Sequence, residues 1–168
     1  MEGTNEVRSA AGKAPESRQE KGKEREIPVM IDMASLISYR GMSDDPLHLM
    51  TTGTLITRGN HALLQYREAL EEDPSAGGEG DEVQLVLRKD QVTMNRRGRY
   101  ANTMLFQRNK RFETVYQTPF GDLPMAVIAR DVRCDLKRES GKVHLRYEIS
   151  MQGSYTSTNE LHLEFWAT

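Results

Sequence analysis

Cysteine is almost missing from this chain. Cys134 stands alone, so no disulfide can form within it, and a single thiol fits a reducing compartment. Long apolar runs are missing too: no stretch reaches the roughly 18 apolar residues of a membrane-spanning helix, and the first residues lack the apolar core of a secretory signal. These absences lead to the expectation of a cytoplasmic protein. Neither sign of charge dominates, since 23 Lys and Arg face 25 Asp and Glu for a formal net charge of −2. That balance excludes a general attraction to nucleic acid or anionic membranes and leaves only local patches to provide one. Residues 1–26 contain no Ile, Leu, Phe, Tyr or Trp. Such a segment cannot bury enough apolar surface to offset roughly 1–2 kcal/mol of backbone entropy per residue, so a disordered tail is expected there. Residues 27–168 remain as a single domain.

Catalytic motifs are also missing. The four histidines, His48, His61, His144 and His162, show no HxH, HExxH or CxxC companion spacing, so no metal site is expected. The glycine-rich stretch "AGGEG" lacks the lysine of a phosphate-binding loop, and Cys134 has no base at a recognisable spacing. No cofactor and no catalytic residue are therefore assigned.

What is present from Ile27 onward is alternation with a period of two. Ile27, Val29, Ile31 and Met33 alternate with polar or exposed positions, as do Val83, Leu85 and Leu87, then Val143, Leu145, Tyr147, Ile149 and Met151, then Leu161, Leu163 and Phe165. Such strands keep one dry face and one wet face. Turn-forming residues fall between them in "TRGN" (57–60), "RKDQ" (88–91), "RRGR" (96–99), "RNK" (108–110), "TPFG" (118–121), "RESGK" (138–142) and "GSYTST" (153–158). The segment 61–73 has helical propensity, but its setting between strands and after Gly59-Asn60 favours a strand. Residues 71–82 read as a long acidic loop. The sum is an all-β chain of about 8–10 antiparallel strands in up-and-down order. Closure into a single β-barrel removes the exposed edges of such a sheet most completely. Thr118-Pro119-Phe120-Gly121 then serves as a corner between strands 111–118 and 122–133, because proline donates no ladder hydrogen bond and glycine accepts a positive φ.

The order of short motifs along the chain resembles the bacterial YwiB-like family, a domain of unknown function. The matching stretches are "TTGTL" (51–55), Y-x-E (Tyr66 to Glu68), R-x-G (Arg96 to Gly98), M-x-F (Met104 to Phe106), Y-x-T-P-F-G-x-L (116–123), L-x-Y (Leu145 to Tyr147) and N-x-L-x-L (Asn159 to Leu163). The resemblance implies a calycin or lipocalin-like barrel with no assigned activity. That family more often carries Tyr where this chain has Phe120, so any role the resemblance would give a phenolic hydroxyl at that corner does not carry over to this chain.

A barrel of this size holds either packed side chains or one small ligand. The inferred interior is rich in methionine and aromatics: Met33, Met104, Met125, Met151, Tyr66, Phe106, Tyr116, Tyr147 and Phe165. Among its polar members, Glu68 and Arg96 would be costly to bury apart. They either form a structural ion pair or receive a charged ligand group. The candidate ligand-binding set is Tyr66, Glu68, Arg96, Tyr116, Thr118, Phe120 and Tyr147, with Phe120 over a barrel mouth, for a small apolar or amphipathic ligand. A second reading uses Arg96, Arg97, Arg99, Arg108, Lys110 and Arg111, which with nearby aromatics form an acid-free stretch suited to single-stranded RNA. A third reads Trp166, on the polar face of the last strand, as an anchor for a protein partner or for a second copy in a homodimer.

Overall fold

The computed structural model describes residues 24–68 and 80–168. Ten strands carry the described chain: β1 (Arg25–Tyr39), β2 (Asp45–Arg58), β3 (His61–Glu68), β4 (Asp81–Arg88), β5 (Gln91–Arg97), β6 (Asn102–Gln107), β7 (Arg111–Thr118), β8 (Gly121–Leu136), β9 (Ser140–Met151) and β10 (Ser154–Ala167). No helix long and apolar enough to cross a membrane occurs among these residues. β1 begins two residues earlier than the alternation from Ile27 suggests, with Arg25 and Glu26 already paired to Thr57 and Ile56. The expected tail otherwise lies outside the described residues. The 61–73 segment is strand as far as Glu68, and its remainder also lies outside them. Asp81 and Glu82, expected in the acidic loop, instead open β4. The last turn falls at Gln152-Gly153, both with positive φ, and the chain is strand again from Ser154.

All strands run antiparallel to their neighbours in one sheet, in the order β6-β5-β4-β3-β2-β1-β10-β9-β8-β7. This is an up-and-down meander whose first and last strands pair directly, from Val29–Ala167 to Tyr39–Ser157. The sheet rolls into a nearly closed barrel, and its seam lies between β6 and β7, which are consecutive in the chain. Two main-chain hydrogen bonds cross the seam region, Gln117 N–H to Ala101 O at 2.9 Å and Asn109 N–H to Ala129 O at 2.8 Å, in place of a continuous ladder. Register shifts at Ala129/Asp131 in β8 and at Tyr155/Ser157 in β10 add the local bending that a tightly curled sheet needs.

The inward face is the alternating apolar set. Phe106, Phe165, Ile31, Leu55, Leu64, Leu85, Leu87, Leu145, Val29, Val83, Val92 and Val127 are fully buried. Phe106 and Tyr147 meet at 4.6 Å between ring centroids, tilted by 53°, within the contact range of aromatic pairs. The inferred interior residues all lie on this face, Tyr116 and Met151 at its partly buried margin. Where the wall must approach its neighbour closely, the chain uses Gly53. A Cβ there would overlap the Gln65 carbonyl oxygen and lie 2.7 Å from Ile31 Cδ1. The carbonyl belongs to the β2–β3 ladder and cannot yield without breaking it. Gly53→Ala is accordingly expected to destabilise the fold by about 1–3 kcal/mol in denaturant unfolding; unchanged stability would show that the wall relaxes freely.

Candidate functional site

The barrel has two unlike ends. At one lie the turns β1–β2, β5–β6, β7–β8 and β9–β10, and at the other β2–β3, β4–β5, β6–β7 and β8–β9. Strand alternation sends polar side chains inward at the first end. Tyr66, Val83, Arg96 and Asn102 form one row across β3 to β6, and Glu68 and Asp81 pair in the next row toward the mouth. The Ala101–Gln117 bridge carries the first row over the seam to Tyr116.

Arg96 is the centre of this mouth. Its Nη2 donates to Glu68 Oε2 at 2.8 Å, and its Nη1 lies 3.7 Å from Asp81 Oδ2. The Arg96 and Glu68 side chains are 18% exposed and that of Asp81 only 6%. Burial works against the guanidinium charge, but Glu68, assisted by Tyr66 and Asp81, outweighs it and raises the Arg96 pKa. Asp81 Oδ1 accepts the Arg99 N–H at 3.0 Å, which ties the β5–β6 turn down over the mouth. That turn needs Gly98, whose φ is +136° and whose missing Cβ would overlap Asp81 Oδ1. Two buried acceptors, Asp81 Oδ2 and Asn102 Oδ1, have no hydrogen-bond donor among the described residues.

Tyrosines surround the cation. Burial pushes the Tyr147 phenol up to about 12; Arg96 opposes the shift and Glu68 adds to it. Tyr66 is raised further, by burial first and then by Glu68 and Tyr147, again against Arg96. Tyr116 stacks on Tyr100 at 6.2 Å and is raised mainly by burial. One row beneath Arg96 and Asn102, Met94 faces Met104 across β5 and β6; Met125 faces Met151 across β8 and β9, on the side of Tyr147 nearer the β7–β8 and β9–β10 turns.

Tyr66, Glu68, Arg96, Tyr116 and Tyr147 thus converge, whereas Thr118 and Phe120 do not. Thr118 Oγ1 donates to Gly121 O at 2.8 Å and accepts the Phe120 N–H at 3.1 Å, which closes the β7–β8 corner. Phe120 does not cover the mouth: at 90% exposure it stands in solvent, because the tight turn points its side chain away from the interior. Asp81 and Asn102 were not among the expected site residues. Stepping back by two from Val83, and by two from Met104, reaches both on the inward face.

The basic stretch does not form one surface. Arg97 and Arg99 lie at the Arg96 end, while Arg108, Lys110 and Arg111 lie at the other, separated by the six residues of β6, or about 20 Å. Arg96 is already paired, Arg99 lies 5.9 Å from the Tyr100 ring centroid, and Arg111 bonds to Glu113. Trp166 faces outward beside Met30 and Ser140. Cys134 is pushed up to about 11 by burial and by Asp135, so its thiol stays protonated and unreactive at neutral pH.

A family model described as a domain of unknown function, DUF1934, matches residues 31–163. Among solved structures, the ywiB protein from Bacillus subtilis is similar, with a TM-score of 0.73 and 18% identity over 85% of this chain and 93% of that one. At that identity the likeness establishes the fold. No curated protein matches the chain.

Two predictions test this geometry. Arg96→Ala leaves two partly buried carboxylates without their cation and is expected to lower stability by about 2–4 kcal/mol. Arg130→Ala, which breaks the exposed pair to Glu148, is expected to change it by less than about 1 kcal/mol. Equal losses would show that the mouth pair is no more than a surface contact. In spectrophotometric titration of the native protein, Tyr66 and Tyr147 are expected to remain un-ionised at about pH 11, above the ordinary phenol value near 10. Because the unfolded phenols release their protons first, the stability these groups contribute is full below about pH 10 and is lost as pH rises toward 12. Ionisation of all six tyrosines near pH 10 with the fold intact would contradict this.

Proposed function

The chain belongs to the DUF1934 family, a domain of unknown function, and we propose that its barrel binds a small amphipathic molecule, head group at the Arg96 mouth and apolar part among the methionines below. The observation that carries this reading is a pair of buried acceptors that no described residue hydrogen-bonds, Asn102 Oδ1 and Asp81 Oδ2, the second approached by Arg96 Nη1 only to 3.7 Å. A buried acceptor without a donor destabilises the fold by about 1–3 kcal/mol, and a ligand donor would recover it. The mouth holds one cation between two carboxylates, so it favours a cationic or donor-rich head group over an anionic one. Met94 and Met104 lie one row below that head position, with Met125 and Met151 at the same end of the barrel, and methionine reshapes around an irregular apolar guest more readily than any branched side chain. The adjacent seam offers the least resistance to entry, since few main-chain bonds hold it. The described turns at this end also carry exposed apolar side chains, Met42 and Phe120, and Tyr155 is exposed at the start of β10.

A cytoplasmic location belongs to the same proposal, because a lone cysteine with no partner for an internal disulfide fits a reducing compartment. Nucleic-acid binding through residues 96–111 draws less support, because those charges are divided between the two ends. Association through Trp166 rests on a single exposed aromatic ring.

The reading is tested by thermal melting with octylamine and with octanoate, two probes sharing one tail. Octylammonium at 100-fold excess over its dissociation constant is expected to stabilise by about 2.7 kcal/mol, a shift of several degrees, and octanoate to shift the melt little. Asp81→Asn is expected to remove the difference between them. No shift with either probe, or a preference for octanoate, would refute the proposal.

A further inference from the structure

The outer face of the barrel carries a second polar cluster, far from the Arg96 mouth in chemistry and facing the other way. Cross-strand register places His48, Ala34, His162, His144 and Arg133 in one transverse row over β2, β1, β10, β9 and β8. Ala34 keeps the middle of the row low, and a groove of about 480 Å³ runs over it, walled by Asp32, His48, Arg133, Asp135, Lys142, His144, His162 and Glu164. Along one side, His144 and His162 stack with ring centroids 4.2 Å apart. Both turn Nε2 toward the same atom, Glu160 Oε1, at 2.9 Å and 3.1 Å. One ligand atom from each of the three residues falls within 4.8 Å of the others.

We propose that His144, Glu160 and His162 bind one divalent transition-metal ion, of the zinc, cobalt or nickel type, on the outside of the barrel. Two imidazole nitrogens and one carboxylate oxygen form a donor set these borderline ions prefer. A tetrahedral ion about 2.0–2.1 Å from each ligand holds its ligands roughly 3.3 Å apart, so the two Nε2–Oε1 spacings need to open by only a few tenths of an ångström, while the stacked rings must turn until both Nε2 lone pairs meet at one point. The ion then takes the place of the hydrogens now shared between the rings and the carboxylate.

The independent support is on the far side of His144. Its Nδ1 lies 3.3 Å from Asp131 Oδ2, a carboxylate placed to hold the tautomer that presents Nε2 to a metal. Asp131 itself is placed by the β8 register shift and is also held by Arg133. Three protein ligands leave at least one coordination position for water or a small anion. Its ligands come from two strands, His144 from β9 and Glu160 and His162 from β10, and meet through the β9–β10 register; alternation places both histidines outward but does not by itself bring them together.

The test uses the untagged chain, stripped with a chelator and titrated with Zn²⁺ by calorimetry and with Co²⁺ by visible ligand-field absorption. One ion per chain is expected. His162→Ala and Glu160→Gln are each expected to weaken binding by more than tenfold, and Asp131→Asn by about tenfold. His48→Ala and His61→Ala are expected to bind as wild type. His162 is well exposed, so its variant is expected to keep the wild-type melting temperature without metal, which separates lost ligation from lost folding. No saturable binding, or binding by His162→Ala and Glu160→Gln equal to wild type, would overturn the proposal.

Discussion

The ladder between β1 and β10 joins the two ends of the described chain along eleven residue pairs, and the barrel exists only while it holds. Every other full ladder links strands that follow one another through a connection, so each can form locally. The β1–β10 ladder instead demands that nine intervening connections and eight strands have already curled. Once it forms, the inward rows meet across the interior, Phe106 reaches Tyr147, and Arg96 is enclosed with its carboxylates. Without it the same residues would lie on an open, half-wet sheet where neither burial nor the ion pair amounts to much.

Closure also explains why the two ends of the barrel differ. A strand that alternates faithfully sends every second residue inward, including the one or two that lie beyond the apolar stretch. At the β2–β3 and β8–β9 end those residues remain apolar, Leu55, Ala62, Leu136 and Phe165. At the other they are Glu68, Asp81, Arg96 and Asn102. Such charges are tolerated only because they reach one another across strands. On the outer face the same register aligns His144 with His162, so one property of the sheet generates both polar clusters.

Much of the fold was legible in the sequence because its signals are local. Alternation from Ile27, from Val83 and from Val143 reports strands, and Gly59-Asn60 or Pro119-Phe120-Gly121 reports reversals. The convergence of Tyr66, Glu68, Arg96, Tyr116 and Tyr147 followed from parity along their strands. Three features were not legible. Asp81 was absorbed into an acidic loop by composition, although parity from Val83 reaches it. Phe120 was expected over the mouth, yet the direction of a turn side chain depends on backbone angles that spacing does not encode. The basic residues between Arg96 and Arg111 are close in sequence, but β6 carries them to opposite ends.

The position of the seam has a consequence for how the molecule comes apart. In most rolled sheets the weak joint is where the chain's two ends meet, so a broken molecule unravels from its termini. Here the first and last described strands are the hinge and the clasp is mid-chain, at Arg108-Asn109-Lys110, where Asn109 sits at φ 60°. A backbone nicked at that point would remain a two-piece shell, its halves held edge to edge by the β1–β10 ladder. The β1–β10 ladder is thus the spine of the barrel, and the β6–β7 seam is its opposite edge.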